Sequence, residues 1–366
     1  MRALRVTEEV GDAAALDLAR YIRPGAMVAW GQGCAEPLTL TEAPDLLGRG
    51  PLRVDVLFLA LPPAGPDGTF GLGLAADYLA PLIGRAGAVI AEVNDQVPDV
   101  GCDHRLSRGE IDVLVRTSRP PAEYPPKPAS DVDKAIAEHV AGLVPDGATV
   151  QVGIGSLPAV VLRHLHGHRD LGVHSGMITD EIAELIEAGV VTGARKSTDR
   201  GLVVTGLLLG SGALVKRAGV DKSIRLRDTR YTHDQAVLAA QHALVAVNSA
   251  IEVDLTGQAN IEVAAGRYVG GTGGAADFLR GAARSQGGLP MLALPSTAGP
   301  ATASTASRIV ARLNGPAGLA RADAGVIVTE YGVADLRGLS LARRRERMIA
   351  IAHPDHRAAL ESAAGD

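Results

Sequence analysis

Two stretches, PGAMVAWGQGCAEP at 24–37 and PDGATVQVGIGSLP at 145–158, repeat one pattern at an offset of 121–122 residues. Each has Gly-Ala ahead of a short apolar run, Gly-x-Gly at its end and a proline after it. The period is too long for a solenoid, whose units run from about 20 to 50 residues. It reads instead as a duplicated helix–strand–loop–helix unit, and so as two related domains. With 366 residues, the chain also exceeds the size at which one core keeps growing. Between the copies lies RPPAEYPPKPAS, with five prolines in twelve residues. Proline fixes φ and lacks an N–H, so nothing regular forms there and the segment reads as a linker. The expected organisation is an α/β domain over 1–118, the linker over 119–130 and a second α/β domain over 131–366.

Apolar runs at 27–30, 52–61, 87–95 and 111–117, and again at 148–152, 201–210, 291–299 and 324–332, read as strands. They are continuous rather than alternating, the pattern of strands buried on both faces of a parallel sheet. Helices are expected at 13–21, up to about Leu47, at 131–143, from His233 to Ala246, and from Val333 to Leu360. Residues 174–193 read as a loop followed by an amphipathic helix. Open α/β sheets bind ligands at the carboxyl edge of their strands. That makes Gly153 and Gly155, and Glu36 behind the Gly31-Gln32-Gly33 exit, candidate binding residues. Ser296, Thr297 and Glu330 fall at the ends of two further strands and join them. Neither exit continues as G-x-G-x-x-G, so a dinucleotide is not the expected ligand.

Gly270-Gly271-Thr272-Gly273-Gly274 puts four glycines in five residues. Such a run holds no regular element, because glycine loses the most chain entropy on ordering and has no side chain to pack. It can bring backbone N–H groups against something bulky or negative, with the positive end of the following helix behind them.

Charge narrows the choice of partner. Lys plus Arg number 36 and Asp plus Glu 41, a net charge of −5, which attracts neither nucleic acid nor an anionic membrane. The apolar segment at 201–210 is half the length of a membrane span. The N-terminus is polar and acidic, unlike a secretory leader. Two cysteines, Cys34 and Cys102, suit a reducing compartment, and no residue spacing fits a metal site. A cytoplasmic enzyme is expected.

The motifs GPDGTFGLGLAADY, AEVNDQVP, VQVGIGSLP, DLGVHSGM, LIEAGVVTG, NSAIEVDLTGQ, GGTGGAADFLRGAARSQGG, LPSTAG, SRIV, VTEYGVADLRG and IAHPDHR occur in one order. Together they resemble the acetyl-CoA hydrolase/transferase family, which includes 4-hydroxybutyrate and acetate CoA-transferases. The resemblance covers about residues 20–360, although the chain is shorter than typical members, mostly in its first half. It implies two open α/β domains of the CoA-transferase type with the active site between them. It also implies a coenzyme A thioester as substrate, no permanently bound cofactor, and self-association into a homo-oligomer. In those transferases a glutamate carboxylate attacks the acyl-CoA carbonyl, and the released thiolate converts the resulting anhydride into a glutamyl-CoA thioester. An acceptor acid then takes over the CoA. Backbone N–H groups of the glycine loop, here Gly273 and Gly274, would form the oxyanion hole. Glu252, Asp254 and Glu330 match the family.

Two positions depart from it. The family's nucleophile lies in a His-Ser/Thr-Glu-Met segment, which here reads His174-Ser175-Gly176-Met177, so Gly176 stands where the glutamate belongs. Where relatives have Tyr-x-Asn-Asp-Pro, this chain has Tyr231-Thr232-His233-Asp234-Gln235, so His233 replaces an asparagine. Glycine cannot form an anhydride. One reading makes His233, with an ordinary pKa of about 6.5, a general base for direct attack of water or a small acceptor on the thioester. A second has another carboxylate, Glu36, Glu181 or Glu252, restore conventional CoA transfer. A third keeps binding of CoA esters without turnover. The bland counterpart of the first is that His233 merely hydrogen-bonds in the asparagine's place.

Overall fold

The computed structural model describes residues 8–11, 13–30, 45, 47, 53–124, 128–299 and 306–363. Its first sheet has five parallel strands in the order Glu8–Val10, Val113–Thr117, Ala88–Asn94, Val56–Leu61, Val28–Ala29. The second has eight, in the order Gly332–Asp335, Val326–Thr329, Leu289–Ala293, Leu244–Asn248, Thr149–Val152, Gly172–Ile178, Val203–Leu208, Ile224–Leu226. Only Gly332–Asp335 runs antiparallel to its neighbour. Both sheets are open, as the expected α/β class requires. Thr149–Val152, Val203–Leu208 and Leu244–Asn248 are buried along their whole length, which accounts for their mostly apolar, non-alternating sequence.

The second sheet grows from Thr149–Val152 in both directions. The next three strands add on one side, and Leu244–Asn248 and its successors on the other. The switch point therefore lies between Thr149–Val152 and Leu244–Asn248, where diverging carboxyl ends leave a crevice. Gln151 and Asn248 face each other across it: Asn248 Nδ2 donates to Gln151 Oε1 at 2.9 Å, and Gln151 Nε2 returns a bond at 3.4 Å.

Local sequence explains how the helix after the prolines starts. Ser130 Oγ accepts from the Asp133 N–H and Asp133 Oδ2 from the Ser130 N–H, both at 3.0 Å, a reciprocal cap that opens helix Asp131–Ala141 directly after the prolines. Gly155 sits at φ 121°, a conformation side chains rarely adopt, and turns the chain from its strand into helix Ser156–His164. The equivalent first-copy loop at 31–37, with Cys34 and Glu36, lies outside the described residues.

Several expectations need correction. Residues 13–21 form two short 3₁₀ turns, Ala13–Ala15 and Leu18–Arg20, because Asp17 accepts the Ala19 N–H at 3.1 Å and starts a new turn. The helix after Asp234 stops at Ala240, and Leu244–Asn248 is a strand. Gly332–Asp335 is a strand, and the helices that follow are Leu341–Ala350 and Pro354–Ala363. His174-Ser175-Gly176-Met177 lies not in a loop but in strand Gly172–Ile178. Pairing with Val203–Leu208 outweighs glycine's weak strand preference there.

The two halves fold against one another. Leu57, Leu61, Leu82 and Leu106 belong to one continuous apolar cluster with Val150, Val173 and Leu226. Backbone bonds join them too: Gly206 O accepts the N–H groups of Ala76 (2.9 Å) and Asp77 (3.1 Å), and Asp77 O accepts that of Thr229 (3.2 Å). Gly206 has no room for a side chain, since a Cβ would lie 2.7 Å from the carbonyl oxygen of Gly176. Gly206→Ala is expected to destabilise the fold by about 1–3 kcal/mol, the usual cost of overpacking. A urea midpoint equal to that of the unaltered chain would refute this account of the contact.

Candidate active site

Side chains alternate along a strand, so His174 and Gly176 share one face of Gly172–Ile178, while Ser175 and Met177 share the other. Toward the first face comes His233, which with Asp234 joins two helices. It caps the one-turn helix Thr229–Thr232, and Asp234 Oδ1 then accepts the N–H groups of Ala236 (2.8 Å) and Val237 (2.9 Å) to begin helix Gln235–Ala240. The third component is the glycine loop. It follows the hairpin Val263–Ala264/Arg267–Tyr268 and ends at Gly274, the first cap of helix Ala275–Arg284. Gly273 takes φ 57°, the left-handed region, where glycine carries no Cβ penalty.

These components meet at the His233 ring. A Cβ on Gly176 would lie 3.1 Å from its Cε1 and 3.2 Å from its Nε2; a Cβ on Gly274 would lie 2.4 Å from Nε2 and 2.6 Å from Cδ2. Phe278, one turn into the helix, packs on the ring with centroids 4.6 Å apart and a 56° tilt. Gly176, His233, Gly274 and Phe278 thus form one packed cluster, and the two glycines are what admit the imidazole.

Other expected site residues fall into separate groups. Glu330 accepts from the Ser296 backbone N–H at 2.8 Å and from its hydroxyl at 2.6 Å, tying the ends of two strands together. Thr297 pairs with Ser307 in a short antiparallel ladder. Gly153 and Gly155 line a small cleft with Tyr124, Thr179 and Glu181. Gly270 is exposed, and Gly271 and Thr272 are partly so. The carboxylate of Glu181 is taken up by Arg163 (2.9 Å) and the Thr179 hydroxyl (2.7 Å). That of Glu252 accepts from Asn260 Nδ2 (3.1 Å), Asn314 N (2.7 Å), Asn314 Nδ2 (2.8 Å) and Gly315 N (3.0 Å).

Residues 210–364 match the acetyl-CoA hydrolase/transferase C-terminal domain. The 4-hydroxybutyrate coenzyme A transferase of Clostridium kluyveri is 36% identical over 326 residues, which cover 88% of this chain and 75% of the relative. The chain belongs to the acetyl-CoA hydrolase/transferase family. Solved structures agree with that family membership. RipA from Yersinia pestis superposes with a TM-score of 0.84 at 35% identity, covering 90% of this chain and 74% of RipA. The 4-hydroxybutyrate CoA-transferase from Porphyromonas gingivalis gives 0.81 at 33% identity, covering 98% and 93%. Acyl-CoA processing is thus the business of this family.

Within that family frame, the electrostatics of His233 differ from the sequence-based expectation. The ring is only 2% exposed, and burial lowers its pKa from 6.5 to about 3. An ordinary histidine titrating near neutrality is therefore not what the fold makes of this residue. Its Nδ1 lies 2.8 Å from Thr232 Oγ1, which is also 3.3 Å from the Asp228 carbonyl oxygen, and its Nε2 faces the two glycines. His174 is also buried, and its pKa falls to about 3, chiefly through burial and secondarily through the charge of Lys196. Sequence reasoning did not single out His174, Thr232 or Phe278 as site residues. Phe278 was traceable, since four residues after Gly274 it returns to the same face of the helix.

Both rings stay neutral in the folded chain far below 6.5, whereas in an unfolded chain they take up protons near that pH. Between pH 6.5 and about 3 the unfolded state binds more protons, so the stability these groups contribute is full above 6.5 and lost as the pH falls toward 3. Urea midpoints measured from pH 7 down to pH 4.5 should drop, and His233→Asn should flatten that slope. An identical slope in the variant would show that His233 is not buried neutral.

Proposed function

We propose that this chain attacks an acyl-CoA thioester directly with water or a small acceptor, as a hydrolase or acyltransferase that forms no glutamyl-CoA intermediate. The observation that carries the reading is the neutral His233 imidazole packed on Gly176 and Gly274, with Nε2 turned toward both. In the hydrolytic form, water oxygen bonds to the thioester carbonyl carbon while its proton passes to His233 Nε2, and the carbonyl oxygen becomes an oxyanion. The C–S bond then breaks, CoA leaves as thiolate, and the proton on Nε2 moves to the sulfur. The products are a carboxylic acid and free CoA. A base of low pKa is weak at rest, but the negative charge developing beside the ring raises its proton affinity as the reaction proceeds.

In this proposal Gly273 and Gly274 supply the oxyanion N–H groups. Gly153, Gly155, Gly270, Gly271, Thr272, Ser296, Thr297 and Glu36 contact the CoA ester, and Glu330 holds Ser296 in place. The units 1–118 and 131–366, joined by 119–130, enclose the site; a cytoplasmic homo-oligomer belongs to the same reading.

Conventional CoA transfer is the second reading, favoured by the name of the Clostridium kluyveri relative. Against it stand the carboxylates of Glu181 and Glu252, both already engaged by several donors. Glu36 is the remaining candidate.

Incubation with acetyl-CoA and butyryl-CoA separates these readings. Thiol release without added carboxylate is expected; strict dependence on a carboxylate would favour transfer, and binding without turnover would defeat both. His233→Ala should lower kcat by about a hundred- to ten-thousandfold with CoA affinity little changed. Gly274→Val should cost on the order of a hundredfold or more, through the lost oxyanion geometry and the displaced ring. Gly176→Glu combined with His233→Asn should restore a glutamyl-CoA adduct trappable by hydroxylamine or borohydride. Because His233 stays neutral down to about pH 3, kcat/KM should show no acid inflection near 6.5. An inflection there that disappears in His233→Asn would overturn the assigned ionisation.

A further inference from the structure

We infer that His174 is a positioning residue that sets the place and tautomer of His233 through the Thr232 peptide unit; the inference rests on the role just proposed for His233. Thr232 has two arms. Its carbonyl accepts from His174 Nε2 at 3.1 Å, and its hydroxyl meets His233 Nδ1 at 2.8 Å. A carbonyl can only accept, so the hydrogen of the neutral His174 ring is on Nε2 and its Nδ1 is the acceptor. Gln241 Nε2 approaches that Nδ1 at 3.4 Å, and is itself anchored on Thr198 Oγ1 at 2.6 Å and Val237 O at 3.4 Å. His174 and Thr232 are both fully buried, so water cannot replace the bond between them.

The helix that delivers His233 needs such an anchor. Thr229–Thr232 is a single turn, too short to hold itself together, and the last carbonyls of a helix lack intrahelical partners. His174 supplies one of those partners from the strand that also carries Gly176. The two positions share a face and lie roughly 7 Å apart along the strand. One strand therefore fixes both the gap at Gly176 and the ring that fills it.

Two neighbours support His174. Lys196, fully buried, donates Nζ to the carbonyls of Val173 (3.0 Å) and Leu202 (2.9 Å), and its charge opposes protonation of His174. Tyr231 packs beside His174 with ring centroids 6.0 Å apart, its hydroxyl tied to Asp199 at 2.7 Å.

The test uses the full chain with isotopically labelled histidine, the His233 ring signals being assigned by their loss in His233→Asn. His174→Phe keeps the ring's bulk without its donor; His174→Gln can return an amide N–H to the Thr232 carbonyl. In His174→Phe the His233 nitrogen shifts should move away from those of the unaltered chain, and kcat should fall about ten- to a hundredfold while KM for acyl-CoA stays within twofold. His174→Gln should recover most of both. His233 shifts and kcat unchanged in His174→Phe would overturn the inference. Should the Phe variant fail to fold, His174→Gln is compared with the shorter His174→Asn: Gln must preserve the His233 signals better than Asn, and the reverse or equal order overturns it. Failure of the general-base proposal looks different, because His233→Ala would then keep full turnover while His174→Phe still moved the His233 signals.

Discussion

The imidazole of His233 packs against two backbones, at Gly176 and at Gly274; a Cβ at 274 would collide with the ring and one at 176 would press on it. Around a side-chain-free gap of this kind the rest of the centre takes its form. Phe278 closes one side of the ring, Thr232 meets Nδ1, and Nε2 faces the strand and the glycine loop. Glycine at 273 follows from the loop's conformation alone, since φ there is 57°. Glycine at 176 does not, since a mid-strand residue gains nothing from glycine's freedom and loses packing. Its presence is best understood together with the ring that occupies the vacated space.

The commitments of the nearby carboxylates sharpen the same point. A nucleophilic carboxylate needs a free lone pair and freedom to move toward the acyl carbon. Glu252 accepts four hydrogen bonds and works as a hub for the turn at Asn314-Gly315. Glu181 faces Arg163 from the first turn of its helix, where the helix dipole also favours a resident negative charge. Releasing Glu252 would take an acceptor from the buried Asn260 amide, a cost of about 1–3 kcal/mol. These glutamates stabilise the scaffold that surrounds the cluster.

Much of this was legible in the sequence, for identifiable reasons. Unbroken apolar runs gave away the parallel strands, because burial on both faces leaves no polar register. A helix was expected directly after the proline cluster, and Asp131–Ala141 starts there. The motifs singled out Gly176 and His233, which the fold brings into contact. What the sequence hid depends on tertiary contact. Strand pairing claimed the His-Ser-Gly-Met segment from the loop expected there. The shift of His233 toward low pKa comes from burial by residues distant in the chain, and no local pattern reports it. His174 escaped notice for the same reason, since its partner carbonyl lies 58 residues further on.

The backbone bonds between the two halves carry one more implication. Asp77, from the loop beneath the first sheet, donates its N–H to Gly206 and accepts the N–H of Thr229, the residue that opens the one-turn helix before His233. That helix is thus gripped at its start by the N-terminal half and at its end by strand Gly172–Ile178. The turn that carries His233 is therefore held from both halves at once, so a change in how they pack would be felt at the ring through these two bonds.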